Sequence, residues 1–411
     1  MNGQCPVAHE VDLFAPVFHA QLYDIIGRLR NDTPVAYLPE HDIYVVTRFD
    51  EVSRIFDDNA NFSALNASSP ILPLAPEAAR ILRENVPRKP ALTNADAPRH
   101  TEMRAAVSAC LAAPRWRKLQ PPVRKYGEEL VAALVEKPVS DLVADLAFPL
   151  PAFAGFTLLG FPMEDAEQLK EWCGHRVLLS YGRLGAEAQI DAAHSMVAFW
   201  RYVEAFVARR ATEPGDDLTT DLIALARGAP DKLAIEDIPT LVFSIALAGH
   251  ETTTSGIGNA LYQLLLHRDQ WERLKREPGK IGTAVEEALR FDSPLIAWRR
   301  TARHETPVGD ITVPAGARLL LLVASANRDA ARFAAPDTLD IARANARDHM
   351  AFGSLTHYCL GAPLARFEMR VAIESLMRAA PDIRLCPDTA EHVANSSFRC
   401  LTRLLAEPRP A

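Results

Sequence analysis

The chain has no apolar run long enough to cross a bilayer as a helix, which takes about 20 residues. Its richest stretches, LVFSIALAG (241–249) and LLLLVASA (319–326), are too short. The opening residues MNGQCPVAHEVD lack the charged-then-apolar layout of a signal peptide. Together these absences lead to an expectation of a cytoplasmic protein with no membrane partner. Cys-x-x-Cys pairs are missing too, and the six cysteines are scattered, which excludes a disulfide framework of the secreted type. Most of them read as small buried apolar residues. There is no excess of positive charge: the formal net charge is −7, which argues against general nucleic-acid binding. No repeat of fixed period, low-complexity linker or internal boundary occurs, so residues 1–411 are expected to form a single domain.

Apolar residues make up 48% of the chain, enough for a large core. The segment PVAYLPEHDIYVVTRF predicts a hairpin, with Val35–Leu38 and Ile43–Thr47 flanking a polar turn. DEVSRIFDD follows as a helix. Residues 62–95 are rich in Pro, Ser and Asn and read as an irregular binding loop with a short helix at Glu77–Asn85. From about 98 to 300 helical periodicity dominates. Short β-like runs return at ITVPAG and RLLLLVA, a helix is predicted over 361–379, and weak strands close the chain. The fold class expected is mainly α with small β-sheets.

AFGSLTHYCLGAPLARFEMR (351–370) places Cys359 between an aromatic–glycine turn and that last helix. A lone cysteine there is a core residue, a nucleophile or a metal ligand. A helix beginning near Ala362-Pro363 aims its N-terminal dipole and free amides back at the sulfur, which favours thiolate. A thiolate with amides near it suits a soft transition metal or haem iron. A catalytic Cys–His pair with His357 is the rival, but two residues apart in an irregular loop the ring need not face the sulfur.

Here the sequence resembles the cytochrome P-450 superfamily of haem-thiolate monooxygenases. Phe352, Gly353, His357, Cys359, Gly361, Ala365 and Arg366 match that family's cysteine loop and the start of its helix. Leu355 stands where the family carries a glycine, and a leucine held there at positive φ costs roughly 1–2 kcal/mol. The resemblance implies the family's α+β fold, a triangular prism around a buried haem b (iron protoporphyrin IX), with Cys359 as its axial ligand.

Three further stretches agree in order and spacing. SIALAGHETTTSGIGNALYQLLLH (244–267) reads as one long helix, with a kink or π-bulge at its small-residue and threonine-rich centre. Taken alone it shows a small-residue packing stripe of Ser244, Ala248 and Thr252. Against the family, Ala248, Gly249, Glu251 and Thr252 match the oxygen-activating signature. Ala248 and Gly249 would let the flat macrocycle approach the backbone, Thr252 would act as hydroxyl donor and Glu251 as proton relay. His-Glu-x-x-His zinc ligation is excluded, because Thr254 replaces the second histidine. In EEALR, Glu287 and Arg290 share a helix face, by default a solvated ion pair, and Thr283 with Glu286 offers that helix a capping box. The family buries this pair with a downstream arginine, here Arg343, as a structural network. His100 and Arg104 have the spacing of one helix face, by default a surface helix. The resemblance makes them propionate ligands together with Arg300 (Arg299 as fallback) and His357.

The resemblance further implies insertion of one oxygen atom of O2 into a small apolar, aromatic-sized substrate, as hydroxylation or oxidative dealkylation. Electrons would come from NAD(P)H through a separate ferredoxin reductase and ferredoxin to a monomer, with PRWRK (114–118), Arg366 and Arg370 as a basic docking patch, or by default as solvated charge. By position, residues 62–95 and 165–205, Phe243, Ser244, Leu295, Ile296, Trp298 and 395–397 would wall the pocket. CPVAH, AWRRTA and NSSFR resemble the haem domains of the self-sufficient bacterial class, here expected without a fused reductase. A peroxide-driven peroxygenase and a non-catalytic haem sensor are the alternatives.

Overall fold

The computed structural model describes residue 8 and residues 11–409. The CPVAH stretch lies outside the described residues apart from Ala8. The chain divides into two compact units. One comprises Met1–Ala67, Gly127–Ala147 and Thr252–Ala411; the other comprises Ser68–Tyr126 and Phe148–Glu251.

The first unit holds every sheet among the described residues. Its main sheet has five strands in the order Val35–Leu38, Ile43–Val46, Arg318–Leu321, Trp298–Ala302, Phe62–Ser63. The predicted hairpin is its edge, with Val35 opposite Val46 and Leu38 opposite Ile43. Asp42 takes positive φ (47°) at the turn, a conformation that Asp and Asn tolerate better than other side chains. Ile43–Val46 runs parallel to Arg318–Leu321, which pairs antiparallel with Trp298–Ala302. That last strand was not foreseen in a region whose periodicity is helical. β-Branched and aromatic residues face one buried cluster, including Val35, Val46, Ile55, Phe56, Phe62, Leu319 and Leu321. Helices Leu22–Asp32, Phe49–Asp57, Arg268–Arg276, Ile281–Phe291 and Ala362–Ala379 belong to this unit, as do short two- and three-stranded sheets.

The second unit is helical. Ala166–Tyr181 and Ala186–Thr212 pack on one another, and Pro76–Asn85 lies on the latter through Ala78 and Ile81 against Ala193 and Val197. The Pro149–Leu159 helix stops at Gly160, whose φ of +83° suits glycine and whose missing side chain leaves room for the Asp217 carboxylate. Asp217 Oδ1 accepts from Thr220 N (2.8 Å) and caps the Leu218–Gly228 helix. Among the described residues no helix is long and apolar enough to cross a membrane.

Candidate functional site

The cysteine loop is tied down by its own backbone. Gly353, at φ +73°, donates its N–H to Met350 O (2.9 Å), and Cys359 N–H donates to Phe352 O (2.9 Å). The helix Ala362–Ala379 then starts with Pro363 in its first turn, as the sequence predicts. Cys359 is exposed. A Cβ on Gly361 would sit 3.7 Å from its sulfur, so glycine keeps that side of the sulfur clear. An accessible sulfur at a helix N-terminus, with a bare glycine beside it, fits a thiolate that could ligate haem iron. Leu355 adopts φ +33°, the strained region expected from its replacement of glycine, and its side chain is 69% exposed. His357 is part-buried in a short turn, Leu355–His357.

Behind the loop, the Phe352 ring lies under the Arg366 guanidinium, 4.4 Å from its centroid. Arg366 donates to both oxygens of Glu286 (2.7 and 3.0 Å) and to the Tyr358 hydroxyl (3.0 Å). His349 Nε2 lies 3.1 Å from Glu286 Oε2. Burial alone would raise the Glu286 pKa, but the bonds from His349 and Arg366 outweigh it and bring it down to about 2. Glu286 therefore does not cap its helix with Thr283: the helix already starts at Ile281, and Glu286 turns toward the cysteine loop's arginine instead.

One turn position on, Glu287 and Arg290 are both fully buried and meet through two bonds of 2.7 and 2.8 Å. Arg343 joins at 3.0 and 3.1 Å, and both arginines spend their remaining donors on carbonyls of residues 327–338. The solvated-pair alternative is thereby replaced by a closed buried network.

The stretch 244–267, predicted as one helix, is two: Ile238–Ala248 and Glu251–Leu266, interrupted at Gly249-His250. Gly249 has little room for a side chain, since its Cβ would approach Ile245 O to 3.1 Å. Ala248 is exposed. His250 is buried between Phe148 and Phe156, and its Nδ1 lies 3.2 Å from Glu251 Oε1. Lys170 Nζ sits 3.9 Å over the Phe148 ring. Burial lowers the Lys170 pKa, with Glu167 and Glu251 opposing it. Burial, and then Glu251, raises the Cys173 thiol well above its ordinary range. Lys170 and Cys173 carry no sequence signal linking them to Glu251; packing of separate helices brings them there. Thr252 is part-buried on the helix that follows.

His100 is 1% exposed and Arg104 part-buried, one turn apart on Arg99–Cys110. Arg300 is fully buried on its strand, 5.1 Å from the Phe56 centroid, and Nη1 donates to Arg299 O (2.8 Å). Arg299 donates instead to the Ser396 and Ser397 hydroxyls (3.0 and 3.3 Å). Of the pocket candidates, Phe243 packs on Phe199 and Trp200 (centroids 4.8 and 5.6 Å), and Ser244 is part-buried. Leu295 and Trp298 are part-buried against the first unit's core. Ile296 is 1% exposed and donates its N–H to Ser397 O (2.7 Å). The basic stretch at 114–118 is largely neutralised: Arg115 pairs with Asp216 and Asp221, and Lys118 with Asp216.

The family model described as Cytochrome P450 matches residues 177–393. The vitamin D(3) 25-hydroxylase of Pseudonocardia autotrophica is 34% identical over 96% of this chain and 95% of its own length. Among solved structures, cytochrome P450 CREJ in complex with (4-ethylphenyl) dihydrogen phosphate is 33% identical, covers 97% of this chain and 99% of its own, and superposes with a TM-score of 0.93. The CYP116B5 heme domain of Acinetobacter radioresistens is 32% identical over 97% of both chains, also at 0.93. With the buried Glu287 network, the cysteine loop and these likenesses across nearly its whole length, the chain belongs to the cytochrome P450 family, haem-thiolate oxidoreductases that use O2.

Proposed function

We propose that this protein is a monooxygenase, acting as one monomeric haem domain over residues 1–411, that oxidises a small, aromatic-sized substrate with electrons from NAD(P)H by way of a separate ferredoxin and its reductase. The observation that carries the reading is Cys359: an exposed sulfur just before a long helix, on a residue whose backbone N–H donates to the Phe352 carbonyl and which Gly361 flanks. Cys359 would hold the haem iron, and His100, Arg104, Arg300 and His357 would bind the haem propionates. Bound haem would supply the O2 chemistry, with the Cys359 thiolate as its electron-donating ligand.

Glu251, beside His250 Nδ1, would relay protons, and the Thr252 hydroxyl would serve as the neighbouring hydrogen-bond donor. Ala248 and Gly249 keep the helix surface flat there. Phe243, Ser244, Leu295, Ile296 and Trp298 shape the apolar pocket. The (4-ethylphenyl) dihydrogen phosphate bound by CREJ supports an aromatic substrate, and the relative named a 25-hydroxylase supports hydroxylation. With Arg115, Lys118 and Arg366 engaged in ion pairs, the ferredoxin surface rests more on exposed Arg370 than on residues 114–118.

The test compares wild-type holoprotein with Cys359→Ser. The wild type is expected to give the thiolate-type carbonyl spectrum and product with a surrogate ferredoxin and reductase. The variant is expected to lose both. An unchanged spectrum in the variant removes Cys359 as ligand. Product formed with hydrogen peroxide but not with the ferredoxin pair would replace the reading by a peroxygenase, and binding without product by either route would leave a sensor.

A further inference from the structure

Arg176, on the Ala166–Tyr181 helix, has no task in the reading above. Its hydrogen bond among the described residues runs from Nη2 to the Ser68 carbonyl at 3.3 Å, and no carboxylate there pairs with it. Four arginines of the same unit are neutralised, Arg80 by Glu77 and Glu84, Arg99 by Asp237, Arg115 by Asp216 and Asp221, and Arg210 by Asp217, whereas Arg176 is half-buried without such a pair. Arg176 keeps part of its surface accessible, yet burial is the largest influence on it and lowers its pKa. A part-exposed guanidinium with one carbonyl partner keeps hydrogen-bond donors for a ligand that reaches it. An unneutralised charge under partial burial is costly. The chain supplies no counter-charge, which leaves the ligand to supply it.

The same helix face continues the pattern. Ser180, one turn on, is 1% exposed, and its hydroxyl has no hydrogen-bond partner among the described residues. Trp172, one turn back, stacks on Phe199 (centroids 5.7 Å), which in turn meets Phe243 at 4.8 Å. His175, by contrast, is engaged, with Nδ1 2.8 Å from the Ser195 hydroxyl. Read along Trp172, Arg176 and Ser180, the stripe offers an aromatic surface, then a cation, then a hydroxyl.

We propose that Arg176, with Ser180 beside it, receives an oxyanion of the substrate, so that the substrate class is an organic anion: an apolar, aromatic-sized body bearing a carboxylate or a phosphate monoester. This rests on the monooxygenase reading for the fate of the body, whereas recognition of the anion is a binding event that needs no turnover.

The test titrates holoprotein with 4-propylphenol, 4-propylbenzoate and 4-propylphenyl phosphate, following heat and the Soret shift. At least one anion is expected to bind tenfold or more tighter than the phenol, the preference shrinking with added salt, and the tighter anion names the head group. Arg176→Gln is expected to weaken that anion by roughly 10–100-fold, the loss of charge-assisted hydrogen bonds, and far more than it weakens the phenol. Ser180→Ala is expected to have a smaller effect of the same kind. Arg176→Lys keeps the charge and guards against a folding defect in the glutamine variant; it is expected to retain part of the preference. The inference is overturned if the phenol binds as tightly as both anions, or if the preference survives in Arg176→Gln. Failure of the haem-thiolate reading would instead show in the carbonyl spectrum, whichever way these titrations fall.

Discussion

Glu368 lies on the cysteine helix, 1% exposed, with Oε2 lacking any hydrogen-bond partner among the described residues. Burial raises its carboxyl pKa well above the ordinary range, with nothing opposing. In the unfolded chain the group ionises near 4.5, while in the fold burial makes it keep its proton to higher pH. Its contribution to stability is therefore whole below that value and is lost as pH rises above it. Glu368→Gln keeps the shape and cannot ionise, so it is expected to stabilise the protein by about 1–3 kcal/mol at pH 8 and hardly at all at pH 4. Urea midpoints of both proteins at the two values check this, and an equal change at both, or a loss at pH 8, would contradict it. At this scale the sequence was legible where a residue type is constrained by its neighbours. Cys359 is readable from the helix behind it, and Leu355 from the glycine it displaces. Glu368 and Arg176 were not, because burial of one charged residue on an amphipathic helix leaves no local mark.

Between elements, the Glu287–Arg290–Arg343 network joins the Ile281–Phe291 helix to the irregular segment around residues 327–343. Breaking a buried network by removing one member leaves an uncompensated charge. Arg290→Met is expected to cost about 3–5 kcal/mol in urea unfolding and to lower the yield of haem-loaded protein. Arg343→Lys, which keeps the charge but loses the fork, is expected to cost less. A loss below about 1 kcal/mol in Arg290→Met would show that the network is not a stability element. Pairing at three-residue spacing is visible in the sequence, whereas burial follows from the family resemblance and not from the spacing. The predicted Thr283 cap failed for the related reason that Glu286 finds stronger partners in His349 and Arg366, distant in the chain. The helix break at Gly249-His250 was foreshadowed by glycine and threonines, although which residues leave the helix was decided by packing around His250.

Across the molecule, acid acts through groups that folding has moved from their ordinary values. Burial lowers the His392 pKa to about 4, with Arg399 and His19 adding to it and Asp292 opposing. The unfolded chain takes up that proton near 6.5, so the stability is present above 6.5 and lost as pH falls toward 4. Glu286, held near 2, adds stability above about 4.5 that disappears on the way down to 2. Both slopes have the same sign. Glu368 slopes the other way over this range, so the urea midpoint is expected to fall from pH 7 to pH 4 in Glu368→Gln, and adding His392→Asn is expected to flatten the upper part of that fall. A midpoint that is level from pH 7 to pH 4 in Glu368→Gln would refute it. The sequence by itself determined the helical class, the hairpin, the cysteine helix and the family, because periodicity, turn residues and motif spacing are local properties of a chain. Only the tertiary structure decided that Trp298–Ala302 is a strand, that Arg115 and Lys118 are neutralised, and that Lys170 stands near Glu251. Each of those depends on residues far apart in sequence competing for the same partner or the same buried space, and no local pattern records the outcome.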